Sequence, residues 1–150
     1  MSESDKKMLR AKVLLVDDEE DFTEVLSMRL ESRGMVVDVA SNGPAALNKI
    51  DEKSFDAVIL DLAMPGMDGI ETLTRMRAKN QDIQVILLTG RATVEKGILA
   101  VKSGAAEFLE KPADIDLLVE KVREAQEKKG FLVEKRAEES VSKIMRNKGW

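Results

Sequence analysis

Four places in this chain hold side chains able to do chemistry together: the pair Asp17-Asp18, then Asp61, Thr89 and Lys111. Each follows apolar residues. Val13-Leu14-Leu15-Val16 precedes Asp17, Ala57-Val58-Ile59-Leu60 precedes Asp61, Val85-Ile86-Leu87-Leu88 precedes Thr89, and Phe108-Leu109 comes shortly before Lys111. Unbroken apolar runs of this length suit strands covered by helices on both faces. In an open parallel sheet, ligands bind beyond the carboxyl ends of the strands. On neighbouring strands about 4.8 Å apart, Asp17, Asp18 and Asp61 would crowd one rim. Carboxylates so placed repel, and raise one another's pKa unless a cation intervenes. Oxygen-only ligands suit a hard cation, with Mg2+ the expected one. The Thr89 hydroxyl can donate to a bound anion, and Lys111 can reach back to place a positive charge there. Together these groups describe a site that receives a phosphoryl group on a carboxylate oxygen. Each alone has a plainer reading: Asp is common where turns begin, and acids suit a helix's first turn, which accounts for Glu20 and Asp21.

Composition narrows the chemistry further. The 150-residue chain lacks both cysteine and histidine. That excludes disulfides, thiolate and imidazole metal sites, Cys nucleophiles, His-based triads and a phosphohistidine on this chain. The net charge of −4 gives no electrostatic footprint for nucleic acid. No apolar run is long enough to span a bilayer. The polar start, Met-Ser-Glu-Ser-Asp-Lys-Lys, lacks the apolar centre of a signal peptide, so a cytoplasmic protein is expected.

The elements that must position these groups follow in order. Residues 1–11 read as a solvated arm. The strand ending at Asp17 precedes a helix with Phe22, Val25, Leu26, Met28 and Leu30 at roughly helical spacing, closed by Gly34. Val36-Val37-Asp38-Val39-Ala40 is a more polar strand, as at a sheet edge. Asn42-Gly43 makes a turn, and Pro44 suits the first turn of a helix whose apolar face is Ala45, Ala46, Leu47 and Ile50. The strand ending at Asp61 leads through Met64-Pro65-Gly66-Met67-Asp68-Gly69 into a helix carrying Ile70, Leu73, Met76 and Arg77. Residues 83–89 form the fourth strand. Residues 92–103 form a weaker helix containing Gly97, a cost of about 1 kcal/mol relative to Ala. Residues 105–109 form the fifth strand. Residues 114–129 form a final amphipathic helix with Ile115, Leu118, Val119, Val122 and Ala125 on its buried stripe. Five strands alternating with five helices over short connections predict an α/β, flavodoxin-like, doubly wound parallel sheet of order 2-1-3-4-5. Its switch point lies between the strands that end at Asp17 and Asp61.

Asp17-Asp18, Asp61, the loop at 64–69, Thr89 and Lys111-Pro112, each at the end of its strand, resemble the receiver domain of bacterial response regulators (CheY-like), over residues 12–129. The resemblance implies a phosphoacceptor, Asp61, that takes phosphate from a partner's phosphohistidine or from a small donor such as acetyl phosphate. The partner would be a sensor histidine kinase or a histidine phosphotransfer protein. Asp18 and Asp61 would ligate Mg2+ directly, Asp17 would ligate it or hold a metal-bound water, and the Ala63 backbone carbonyl would add a ligand. Thr89 and Lys111 would contact phosphoryl oxygens. Phe108 would turn inward when Thr89 is drawn to phosphate, or is ordinary core. The Lys111-Pro112 bond would be cis. Ala63 and Arg91 occupy positions that tune phosphate loss; Arg91 either shields the phosphate or is a solvated loop charge. With no side chain at Ala63 to orient water, the phosphoryl lifetime should exceed that of fast chemotaxis-type receivers. The fourth helix, fifth strand and fifth helix would form the output face, contacting an unknown target protein.

Residues 130–150 are too few for a helix-turn-helix output domain. Ala137, Val141, Ile144 and Met145 recur at helical spacing and Trp150 is terminal, so this tail is either an extension of the last helix or a docking or dimerisation helix; a homodimer is one outcome. A stand-alone receiver acting by protein–protein contact is the leading expectation, with a phosphorelay intermediate or phosphate sink as the alternative. It would not be an enzyme beyond its own phosphorylation and dephosphorylation. An aspartyl-phosphate hydrolase would want a second acid where Ala63 stands, and a flavin module would want a phosphate loop where Asp17-Asp18-Glu19-Glu20 would repel one.

Overall fold

The computed structural model describes residues 10–63, 69–90, 98, 101–102 and 104–147. The expectations placed on residues 1–9, the loop at 64–68, Arg91, Gly97 and Trp150 lie outside these. The described elements are β1 (Lys12–Val16), α1 (Glu20–Ser32), β2 (Val36–Ala40), α2 (Gly43–Glu52), β3 (Ala57–Leu60), α3 (Gly69–Lys79), β4 (Val85–Thr89), β5 (Glu107–Glu110) and α4 (Ile115–Asn147). All pairings are parallel and the sheet order is β2-β1-β3-β4-β5, as the sequence predicts. Four helices stand among the described residues where five are predicted. Of the predicted helix at 92–103, only Ile98, Val101 and Lys102 are described, and all three are helical.

Alternation along each strand divides the core into two layers. Leu14, Val16, Val58, Leu60, Val85 and Leu87 pack with Ala46 and Leu47 of α2 and Leu73 and Met76 of α3. Their neighbours Val13, Leu15, Ala57, Ile59, Ile86 and Leu88 pack with Leu26 and Leu30 of α1 and Leu118, Val119, Val122 and Ala125 of α4. β2 is an edge strand and is only partly buried.

Local chemistry sets the helix ends. The Asn42 side chain accepts from the Ala45 amide at 2.8 Å, with Pro44 in the first turn of α2. Gly34, at φ 86°, ends α1: its amide donates to Glu31 at 2.9 Å and that of Met35 to Leu30 at 3.2 Å, which is the Schellman pattern. Of the two expectations for the tail, an extension of the last helix is the one observed. The helix does not stop near Lys129 but continues through Gly130 as one 33-residue helix. One glycine costs only about 1 kcal/mol in a helix interior, and good helix formers flank it. Lys129 donates to Ser54 Oγ at 2.8 Å and to the Phe55 carbonyl at 2.9 Å. Two turns further, Arg136 pairs with Asp82 at 2.7 Å. No helix among the described residues is long and apolar enough to cross a membrane.

Candidate phosphoacceptor site

β1 and β3 are neighbours in register, Val16 opposite Leu60, so the next residue of each strand, Asp17 and Asp61, emerges on the same rim. Both carboxylates are buried, at 3% exposure each. β4 adjoins β3 and ends in Thr89, which is fully buried. β5 adjoins β4 and hands the chain to Lys111, whose amide donates to the Thr89 carbonyl at 2.8 Å. The Lys111-Pro112 bond is cis.

The side chains converge. Thr89 Oγ1 donates to Asp61 Oδ1 at 2.7 Å, and the Ala63 amide donates to the same oxygen at 3.1 Å. Lys111 Nζ lies 2.6 Å from Asp17 Oδ2 and 3.5 Å from Asp61 Oδ2. Asp61 Oδ2 is thus the more lightly bonded of that residue's oxygens. The position of Asp61 also depends on Gly69, at the start of α3. A Cβ there would run into the Leu62 Cα and lie 2.9 Å from the Asp61 carbonyl oxygen. Only a glycine lets α3 begin that close behind the acid.

Asp17, Glu19 and Asp61 offer carboxylate oxygens all within 4.8 Å of one another. Glu19 is the member that sequence reasoning did not single out. Its amide donates to Asp17 Oδ1 at 3.0 Å, and its own carboxylate lies 3.4 Å from Lys111 Nζ. The available signal was its place two residues after a strand-ending acid, where an Asx-type turn folds the chain back. Asp18 is exposed and stands outside that group. Phe108 pairs with Leu87 across β5 and β4 and packs, partly buried, against the layer of Val16 and Leu87.

Among the described residues, three carboxylates face one ammonium, so this cluster is net acidic. Burial is the main force raising the Asp17 pKa above the usual carboxylate value, and the Asp61 charge adds to it; Lys111 and the Glu19 amide pull the other way without prevailing. Burial opposes the charge on Lys111, yet its bond to Asp17 and the charges of Asp17, Asp61 and Glu19 outweigh that and raise its pKa. An oxygen-only, over-acidic and partly dehydrated cluster of this kind fits a small hard cation.

The family model for the response regulator receiver domain matches residues 13–123. The chain belongs to this family. This receiver is 42% identical over 106 residues to the transcriptional regulatory protein ZraR of Klebsiella oxytoca, covering 71% of this chain and 24% of that protein. It is 35% identical over 112 residues to the transcriptional regulatory protein TcrA of Mycobacterium tuberculosis, covering 75% of this chain and 44% of that one. The chain thus spans less than half the length of either relative. A receiver domain from Clostridium thermocellum shares the fold at TM-score 0.78 and 34% identity, over 81% of this chain and 98% of that one.

Proposed function

We propose that this receiver is a phosphoacceptor switch in which an Asp61 oxygen attacks the phosphorus of a partner's phosphohistidine. A P–O bond forms as the P–N bond breaks, and the electron pair leaves with the imidazole. One observation carries the reading: Thr89 and Lys111, delivered by different strands, both reach Asp61, at 2.7 and 3.5 Å. Those are the hydroxyl donor and the ammonium that a transferred phosphoryl group's oxygens require. Mg2+ would be held by Asp18, Asp61 and the Ala63 carbonyl, with Asp17 ligating or holding a water and Glu19 close by. When bound it supplies charge neutralisation on the phosphoryl oxygens. Lys111 then exchanges part of its bonding to Asp17 for a phosphoryl oxygen, and Thr89 turns its hydroxyl from Asp61 to another.

Phe108, paired with Leu87 two residues before Thr89, would turn inward as Thr89 is withdrawn, coupling the site to β5 and to the faces of the predicted fourth helix and of α4. That surface is the proposed contact for a target protein. Ala63 brings no side chain to orient an attacking water, so the acyl phosphate is proposed to be long-lived, with Arg91 as a second tuning position. The protein would act by contact rather than as an enzyme on other substrates.

Incubation with acetyl phosphate and Mg2+, followed by intact mass, tests the reading. Wild type should gain one phosphoryl mass, and both Asp61→Ala and omission of Mg2+ should abolish the gain. Unchanged wild-type mass, or an equal gain in Asp61→Ala, refutes it.

A further inference from the structure

Lys111 has a fourth neighbour that carries no charge. Its Nζ lies 4.1 Å from the centroid of the Phe22 ring, within the range in which an ammonium is attracted to an aromatic face. Phe22 belongs to the first turn of α1 and is one of the apolar residues that recur there at helical spacing. The ring does pack against the layer of Leu26, Leu88 and Leu118, and it lines an apolar groove with Leu88, Pro112 and Leu118. Phe22 is therefore anchored against the core while its ring face meets the ammonium.

We infer that Phe22 is a positioning residue for phosphoryl transfer, its ring face holding the Lys111 ammonium over Asp61. This rests on the phosphoacceptor reading. In the resting arrangement Lys111 is held chiefly by Asp17 at 2.6 Å, with Glu19 and Asp61 at 3.4 and 3.5 Å. Asp17 and Asp61 are the groups that a cation and a phosphoryl donor would compete for. As they are taken up, the carboxylate contacts of Lys111 weaken together. The ring contact does not, because it involves no group that the reaction consumes. A lysine side chain is a flexible four-carbon stem with a strongly hydrated tip, and this one is already partly open to water, at 14% exposure. The ring face 4.1 Å from the ammonium limits how far it swings out. Leucine would fill similar space without the ring's negative face, and tryptophan would keep and enlarge that face.

The test compares wild type, Phe22→Leu and Phe22→Trp, each also in a Lys111→Ala background. The rate of phosphoryl gain from acetyl phosphate with Mg2+ is followed by intact mass across donor concentrations. The proton shifts of the Lys111 ε-methylene are read by NMR with 13C-lysine. Phe22→Leu should slow phosphoryl gain by roughly threefold to tenfold, Phe22→Trp should restore it, and Phe22→Leu should cost nothing further once Lys111 is alanine. The ε-methylene protons should be ring-shifted upfield in wild type, a readout that needs no variant to fold, and should relax in Phe22→Leu. A wild-type rate in Phe22→Leu, no rescue by Phe22→Trp, an equal loss in the Lys111→Ala background, or an unshifted wild-type signal each overturns the inference. A wild type that takes no phosphoryl group overturns the phosphoacceptor reading instead, and a normal ring shift beside it separates the two failures.

Discussion

At the carboxyl rim of the sheet, Asp17, Glu19, Asp61, Thr89 and Lys111 meet within 3.5 Å of one partner or another, although they come from four strands or their ends. Along the distal half of α4, Phe131, Val133, Val141, Ile144 and Met145 stand in solvent at 44–64% exposure. The rim buries Asp17, Asp61 and Thr89 and ties them together by hydrogen bonds and Lys111, so displacing one disturbs several. The distal helix leaves apolar groups bare, held to the domain at its root by Lys129 and at one further place by Arg136 with Asp82. Both regions carry clear sequence signals, acids ending apolar runs in one and helical periodicity in the other. Only the first signal comes from residues far apart in the chain agreeing on one location.

The contrast breaks most visibly within α4 itself. Val122 is fully buried and Ile144 is 57% exposed. In urea titrations, Val122→Asp should cost about 4 kcal/mol or more, because a charge enters the core. Ile144→Asp should stay within about 0.5 kcal/mol of wild type. Similar costs at both positions would mean that the distal stripe is covered in solution.

Two glycines sharpen the same comparison. Gly69→Ala should destabilise by about 1–3 kcal/mol, since its Cβ has nowhere to go, and should slow phosphoryl gain by displacing Asp61. At Gly130 a Cβ would meet nothing within 4 Å. Gly130→Ala should therefore stabilise by about 0.5–1 kcal/mol and raise the helical circular dichroism signal. A loss of stability there would show that the helix is interrupted at that residue.

The smallest effect concerns Asp17. Its folded pKa lies above the unfolded value of 3.8, so the fold favours the protonated acid. That contribution is fully present below pH 3.8 and is lost as pH climbs through the raised pKa. Without Mg2+, Asp17→Asn should be the more stable protein at pH 7, with a flatter stability profile from pH 4 to pH 7. Mg2+ should reverse the order by stabilising wild type through mass action. A less stable Asp17→Asn at pH 7 without the cation would mean that its bond to Lys111 outweighs its burial.

Sheet order and the Asp17–Asp61–Thr89–Lys111 set were legible because β1 after Lys12, β3, and β4 up to Thr89 are unbroken apolar runs that each give way to a polar residue at one rim. Strand ends shifted by a residue or two: β4 opens at Val85 rather than Ile83, and β5 at Glu107 rather than Ala105. Pairing, which local pattern does not encode, decides where a strand begins. Glu19 was hidden among acids that the helix dipole already explained, and Phe22 among apolar residues that the core already explained. Each also lies beside Lys111, Glu19 at 3.4 Å and the Phe22 ring at 4.1 Å, and sequence shows only the commoner placement. The tail was legible only as two alternatives, and the structure has the first: the last helix runs on through Gly130, because one interior glycine costs too little to stop it.

The continuity of α4 has a mechanical consequence. At 1.5 Å per residue its 33 residues make a rod of about 50 Å, rooted beside Leu118 and Val122 against the sheet. Its fastenings reach outward through Lys129 to Arg136, so the overhang is about the last three turns. Were the Arg136–Asp82 pair to open, the overhang would lengthen to about five turns, and a tilt of a few degrees at Lys129 would sweep the tip sideways by about an ångström or more.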